Sequence, residues 1–125
     1  MERIPVLKVG PNLLVTIQGS LHDRSALALQ EDLTRRVSAT GANGVLIDIS
    51  GLDMVDSFVG RVLYTVASVM RIMDAETVVV GMQPAVAITM IELGLDLKGV
   101  LTAINVERGM ELLSQRRQAR DARSR

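Results

Sequence analysis

Between Val45 and Leu63 the chain reads VLIDISGLDMVDSFVGRVL, an apolar segment followed by a short acidic loop and a second apolar segment. The apolar run Val45–Ile49 predicts a central strand that is covered on both faces. The apolar spacing after the loop predicts a helix that opens at Ser57. Because a core strand ends at the edge of the sheet, this serine would lie at that edge beside unpaired backbone N–H groups. Ser57 is therefore the first candidate functional residue.

Strand and helix patterns alternate along the rest of the chain. Two apolar runs separated by Gly10-Pro11-Asn12 predict an antiparallel pair at the start. The predicted strands lie at 4–9, 13–18, 45–49, 78–81 and within 97–104, and the helices between 23 and 41, at 58–74, between 83 and 94, and after Asn105. This order predicts an α/β fold with a mostly parallel sheet, an antiparallel edge pair and about four helices.

The carboxyl ends of the parallel strands are where such sheets bind ligands and partners, and Ser57 and Gln83-Pro84 would both lie there. The helix after Pro84 is apolar nearly all round. Two interpretations of it stay open: its apolar residues are ordinary core, or the helix is a contact face for a partner. The residues concerned are Val86, Met90, Ile91 and Leu93.

Composition limits the class of protein. A chain of 125 residues is long enough for one domain, which we place at 1–114, followed by a basic and frayed C-terminal tail at 115–125 that holds five arginines and one aspartate. With one Phe, one Tyr and no Trp there are few stacking surfaces, and we expect no nucleic-acid binding. No apolar run reaches the roughly 20 residues of a membrane span, and without cysteines or a leader pattern we expect a cytoplasmic protein with no membrane partner.

Motifs for nucleotide binding and hydrolysis are missing from the sequence. There is neither a G-x-x-x-x-G-K-[ST] nor a G-x-G-x-x-G pattern, and the spacing of the single histidine, His22, gives no reason to pair it with Ser57. We therefore predict a non-enzymatic protein with no catalytic residue, no metal and no cofactor.

Three aspartates follow or end the central strand: Asp48, Asp53 and Asp56. A phospho-receiver domain presents such a carboxylate, but it also needs a pair of acids on an earlier strand and a late lysine. The second strand ends without acids, and the only lysines are Lys8 and Lys98. The aspartates are better interpreted as loop acids that keep this edge soluble or recognise a basic partner.

Ser57 has two interpretations. It could be an N-cap that contributes about 1 kcal/mol to helix stability. It could instead be a regulatory phosphorylation site, with the phosphate accepting hydrogen bonds from the N–H groups of Phe58, Val59 and Gly60 at the positive end of the helix. Added charge next to Asp56 would change which partners this surface accepts, and Gly60 would leave space above the first turn for a partner's backbone.

The strand followed by Asp56-Ser57 at a helix start, after Gly19-Ser20-Leu21, resembles the STAS domains (SpoIIAA-like) of bacterial anti-sigma-factor antagonists. The resemblance covers about Ile4 to Leu113 and is strongest to the stressosome scaffold branch. The matching blocks are Ile4-Pro5-Val6-Leu7-Lys8, Gln30-Glu31-Asp32-Leu33, Thr40-Gly41-Ala42-Asn43-Gly44-Val45, Met54-Val55-Asp56-Ser57-Phe58 and Gln83-Pro84-Ala85-Val86-Ala87.

The resemblance implies that an RsbT-like serine kinase phosphorylates Ser57 and that an RsbX-like phosphatase reverses this. It also implies co-assembly with RsbR-like STAS paralogues, self-association into a large assembly, and sequestration of the kinase until Ser57 is phosphorylated, in control of a stress response. The expected partner-binding residues are Asp56, Phe58, Gly60, Gln83 and Pro84.

One departure bears on the branch. Many direct antagonists carry Ser-Ser-Gly where this chain has Ser57-Phe58-Val59, which favours the scaffold branch. The alternatives are a direct anti-anti-sigma factor that binds an anti-sigma kinase and, from another class, a small-molecule-binding or hydrolytic α/β domain with a roomy apolar pocket.

Overall fold

A five-stranded mixed sheet carries the fold in the computed structural model, which describes residues 4–19, 21–52, 55–94, 97 and 99–123. Strands and helices follow each other in the predicted order, with small shifts of their ends. They are β1 (Val6–Val9), β2 (Asn12–Gly19), α1 (Asp23–Thr40), β3 (Gly44–Leu52), α2 (Ser57–Ile72), β4 (Glu76–Val80), α3 (Pro84–Glu92), β5 (Leu101–Ala103) and α4 (Val106–Arg123).

The strands lie side by side in chain order, β1-β2-β3-β4-β5. β1 runs antiparallel to β2, and every later pair is parallel. The chain reverses between β1 and β2 through Gly10, whose φ of 61° is in the left-handed region that favours glycine. Each parallel pair is joined through a helix, because parallel strands cannot be connected by a tight turn. The predicted mixed sheet is therefore confirmed.

β3 is the central strand, and its side chains alternate between two cores. Val45, Ile47 and Ile49 pack with α1, α2 and α3 on one face of the sheet. Leu46 packs on the other face with Leu113 of α4. All four strand residues have no accessible surface, and burial of each stabilises the fold by about 1.5–3 kcal/mol. The prediction of a strand covered on both faces is confirmed.

Parallel pairing gives the sheet two different edges. The carboxyl edge is formed by the ends of β2, β3, β4 and β5 at Gly19, Leu52, Val80 and Ala103, and the amino edge by their beginnings. Both names are used in this sense below.

The apolar residues in and directly after α3, for which two interpretations stayed open, differ in burial. Val86 and Met90 are buried in the core, whereas Ile91 and Leu93 are exposed, as is Ile88. The core interpretation is confirmed for Val86 and Met90, and the contact face stays a prediction for Ile91 and Leu93.

The C-terminal residues 115–123 do not form the frayed tail that their composition suggested. They continue α4 to Arg123, and three arginines bind the amino edge. Arg116 forms a two-bond ion pair with Glu76, with 2.7 Å between Nη2 and Oε1. Arg117 donates to the side-chain oxygens of Asn12 at 3.3 Å and Asn43 at 2.7 Å, and Arg120 pairs with Asp74. Three of the arginines that the composition predicted to be solvated therefore hold α4 on the sheet.

The ion pair between Glu76 and Arg116 makes stability depend on pH. The hydrogen bond from Arg116 lowers the pKa of Glu76 below 4.5, against the opposing effect of burial. Because the folded-state pKa is the lower one, the stabilisation is present above pH 4.5 and is lost as the pH falls through the folded-state value. We expect Glu76→Gln to cost roughly 1 kcal/mol near pH 7 and progressively less at acidic pH values below the folded-state pKa, as measured by urea denaturation at neutral and at acidic pH.

Glu111→Gln is the matched control, since its ion pair with Arg108 is exposed on α4. Its stability should follow the wild-type pH profile. A Glu76→Gln variant that loses the same free energy at both pH values would contradict the assignment.

Candidate functional site

The candidate site is the start of α2 on the carboxyl edge. β3 ends at Leu52, and α2 begins at Ser57. Between them, Asp53 and Met54 lie outside the described residues. Asp56 is the N-cap: its backbone is extended (φ −120°, ψ −175°) and its Oδ1 accepts the N–H of Val59 at 2.9 Å. The interpretation of Ser57 as the N-cap was therefore wrong, because the residue before it performs that role.

Ser57 is the first residue of α2, and its side chain is exposed. Its hydroxyl makes no hydrogen bond within the described part of the chain. The residue therefore contributes little to the fold, and its hydroxyl can be reached from solvent.

The backbone N–H groups near Ser57 are less open than predicted. The N–H of Val59 is bound to the carboxylate of Asp56, and the N–H of Gly60 donates to the Asp56 carbonyl at 3.2 Å. The N–H of Phe58 is the one of the three without an acceptor among the residues the structure describes. A helix start has four free N–H groups before capping, and here the cap and the first helical bond have already taken two of the predicted donors.

The predicted partner-binding residues differ in exposure. Asp56, Gln83 and Pro84 are exposed, and Phe58 is half-buried against the core shared by α1 and α2. Gly60 is buried, which does not agree with the open space expected above the first turn.

Gln83 links the two loops of the carboxyl edge. Its Nε2 donates to the carbonyl of Ser50 at 2.8 Å, and the N–H of Ser50 donates to Oδ1 of Asp48 at 2.9 Å. The contact depends on Gly81, whose φ is 76°, because a Cβ at this position would lie 2.8 Å from that of Ser50. The loop after β3 is thereby tied to the start of α3, where Pro84 occupies the first turn.

Asp48 and Asp56 do not form an acidic cluster around Ser57. Each uses a side-chain oxygen to accept a nearby backbone N–H, Asp48 from Ser50 and Asp56 from Val59. The prediction for Asp53 lies outside the described residues. The cap at Asp56 had a signal in the sequence, since aspartate is a preferred N-cap and stands three residues before an apolar helical position.

The cap leads to a stability prediction. Asp56→Ala should lower the free energy of unfolding by about 1 kcal/mol, because the Val59 N–H loses its acceptor. Ser57→Ala should change it by less than about 0.5 kcal/mol, because the serine side chain holds nothing in place. Urea denaturation of both variants measures the difference, with Asp56→Asn as the control that keeps a capping oxygen. Equal losses for the two alanine variants would contradict the assigned cap.

Comparison with known proteins identifies the family of this fold. The family model described as STAS domain matches residues 3–110. The chain belongs to the STAS domain family. This membership, together with the mixed sheet and its helices, confirms the predicted fold class.

Within the STAS family, the chain is similar to stressosome proteins. A serine-to-glutamate variant of RsbS from Moorella thermoacetica is 36% identical, with a TM-score of 0.80 over 92% of this chain and 97% of that one. A chain from a solved structure described as the molecular architecture of the stressosome, a signal integration and transduction hub, is 40% identical. Its TM-score is 0.78 over 89% of this chain and 96% of that one.

The RsbT co-antagonist protein RsbRA of Bacillus subtilis (strain 168) is 29% identical over 108 residues, which are 86% of this STAS chain and 39% of RsbRA. This chain thus spans less than half the length of that curated relative. In the described ranges, no helix is both long and apolar enough to cross a bilayer.

Proposed function

We propose that this STAS domain is a scaffold of a stressosome-type assembly that holds an RsbT-like serine kinase and releases it when Ser57 is phosphorylated, in control of a stress response. The observation that carries the proposal is the exposed Ser57 at the first position of α2, on the edge of the sheet where partners bind. Similarity to RsbS over 92% of the chain supports the choice of partner class.

Phosphate on Ser57 would act through charge rather than by refolding. It adds about −1.5 to −2 charges beside the carboxylate of Asp56. The helix N-terminus and the N–H of Phe58 favour that charge, while repulsion from Asp56 opposes it. Below the first turn, Val59 and Leu63 stay buried, so the scaffold keeps its shape. The change is therefore confined to the surface that a partner reads.

The same surface extends across the edge to the start of α3. The Gln83 bond to the Ser50 carbonyl holds the two loops together, so Asp56 and Pro84 are presented on one scaffold. Phe58, which is half-buried, can supply an apolar contact to a partner on this surface. An RsbX-like phosphatase would return Ser57 to its binding state, and RsbR-like paralogues would share the assembly through self-association of STAS domains.

The test is retention of the kinase. The purified chain and an RsbT-like kinase are passed together over a size-exclusion column, with the wild type, Ser57→Ala and Ser57→Glu compared. We expect the wild type and Ser57→Ala to elute together with the kinase and Ser57→Glu to elute without it. Only Ser57→Glu has a permanent negative charge at this position.

Ser38→Glu is the matched control, since it places the same charge on another exposed serine, in α1 and outside the proposed binding surface. It should retain the kinase. Release by both glutamate variants would indicate a nonspecific charge effect and would contradict the proposal. Retention of a sigma-binding anti-sigma kinase instead of the RsbT-like kinase would also contradict the proposal.

A further inference from the structure

Helix α3 presents an apolar surface on the side that faces away from the core. Its buried residues, Val86 and Met90, mark the inner side. With about 3.6 residues per turn, Ile88 lies on the opposite side. Ile88 is 56% exposed, and Ile91 is 77% exposed. The exposed residues of the helix, called the α3 face below, are Pro84, Ala85, Ile88, Ile91 and Glu92.

This arrangement differs from that of an ordinary surface helix, which carries polar residues on the side away from the core. On the α3 face, Glu92 is the one charged residue, and the large side chains are the two isoleucines. A helix that is apolar on both sides is normally covered on both. The α3 face therefore has the character of a surface that another protein covers.

The two ends of α3 are also unbalanced in charge, within a helix that the structure describes throughout. The N-cap residue, Gln83, makes no side-chain hydrogen bond to the helix, because its amide is bound to the carbonyl of Ser50. The first turn has no acidic residue, and the last turn has no basic one. Glu92 is the last helical residue. Carboxylates are favoured at a helix N-terminus and disfavoured at the C-terminus, so the acid of α3 lies at the wrong end.

A second copy of α3, packed antiparallel about a two-fold axis, would correct both ends. Ile88 is the middle residue of Pro84–Glu92, so an axis at Ile88 places residues at equal distances from it opposite each other. Glu92 then lies beside the partner's Pro84, at the positive end of that helix. A parallel pair would instead place the two Glu92 carboxylates side by side.

The same axis also matches the shapes of the side chains. Ile91 would lie opposite the partner's Ala85, so that a large side chain meets a small one. This pair would lie on each side of the contact between the two Ile88 side chains. A second copy of the chain therefore fits the α3 face both in charge and in shape.

The length of the helix limits the strength of this contact. At 1.5 Å per residue, α3 is about 14 Å long. A stable dimer buries roughly 800 Å² on each partner, which is more than one side of such a helix supplies. The contact would therefore be weak between two free copies and would gain strength where many copies are held in one assembly.

We propose that the α3 face is a contact between two copies of this STAS domain, formed by antiparallel packing of α3 on α3 around Ile88. The inference rests on the proposed assembly function and names one of its contacts. Ser57 lies on another helix, so this contact and the release of the kinase can be measured separately.

Sedimentation velocity of the purified chain over a roughly hundredfold range of protein concentration tests the contact. The sedimentation coefficient of the wild type should rise with concentration. Ile88→Glu and Ile91→Glu should each weaken self-association at least about tenfold, because each places a charge in an apolar contact. Both positions are exposed, so the variants should stay folded, as urea denaturation verifies. Ile72→Glu is the matched control, since Ile72 is 87% exposed at the end of α2 and lies outside the α3 face.

Disulfide cross-linking tests the orientation of the two helices. The sequence has no cysteine, so an introduced cysteine can bond to another introduced cysteine alone. A disulfide needs Cα atoms about 4.4–6.8 Å apart. Under mild oxidation, Ile88→Cys should form a cross-linked dimer with itself. Ile91→Cys should cross-link with Ala85→Cys in a mixture but not with itself.

Four results would overturn the inference. They are a wild type whose sedimentation is independent of concentration, unchanged self-association in Ile88→Glu and Ile91→Glu, an equal loss in Ile72→Glu, and self-cross-linking of Ile91→Cys. Loss of the RsbT-like kinase from Ile91→Glu with self-association intact would also overturn it and would make the α3 face a kinase-binding surface. Retention of the kinase by Ser57→Glu would contradict the proposed switch and leave the contact between copies supported.

Discussion

Ser57→Ala is expected to abolish phosphate incorporation by an RsbT-like kinase while the protein stays folded. The serine hydroxyl is exposed at the first position of α2, and Asp56, not Ser57, caps the helix. Loss of the hydroxyl therefore removes the acceptor without removing a structural contact. Phosphopeptide mass spectrometry after incubation with the kinase measures the incorporation, and urea denaturation confirms that the variant is folded.

Ser50 and Ser68 provide the controls for this prediction. Ser50 is exposed on the same edge, seven positions before Ser57, and Ser68 lies on the same helix with its hydroxyl bound to the carbonyl of Tyr64 at 2.9 Å. Neither alanine variant should reduce labelling. Phosphate that persists in Ser57→Ala, or that disappears in Ser50→Ala, would place the acceptor elsewhere and would remove the main support for the proposed switch.

Gly109→Val should have the largest effect on stability, a loss of about 1–3 kcal/mol, because it forces side-chain atoms into a packed core. Gly109 is buried where α4 crosses the sheet. A Cβ there would lie 2.6 Å from Cδ2 of Leu46 and 2.8 Å from Cγ1 of Val80. Both neighbours are fully buried and have little room to move. Urea denaturation gives the free energy of unfolding.

Gln115→Val places the same side chain on an exposed position of α4 and should cost only about 0.5 kcal/mol, the difference in helix propensity. Similar stabilities for the two variants would show that α4 does not pack as closely on the sheet as the structure indicates. Displacement of α4 should also separate Arg116 from Glu76, so the Gly109→Val variant is expected to lose the pH dependence of that ion pair.

Much of the architecture could be predicted because its signals are local. The run Val45–Ile49 is apolar at every position except Asp48, and it became the central strand with buried residues on both faces. The turn at Gly10-Pro11 and the alternation of later strands with helices indicated one antiparallel and several parallel pairs, which the sheet confirms.

The position of Ser57 at a helix start was predicted correctly, but the contacts around it were not. Ser57 does lie at the beginning of α2, yet the cap is Asp56, and Gly60 is buried. Asp56 and Ser57 are adjacent, and both residue types are good N-caps, so the choice depends on backbone angles that the sequence does not specify. The Gln83 bond to Ser50 joins residues 33 positions apart and has no local signal.

The sequence by itself determined the order of strands and helices and the faces that enter the core, because apolar periodicity records burial along one element. Only the tertiary structure decided that Arg116, Arg117 and Arg120 bind the amino edge. The physical reason is that charged groups have no periodic signature. Their partners come from distant parts of the chain, and folding alone brings them within hydrogen-bonding distance.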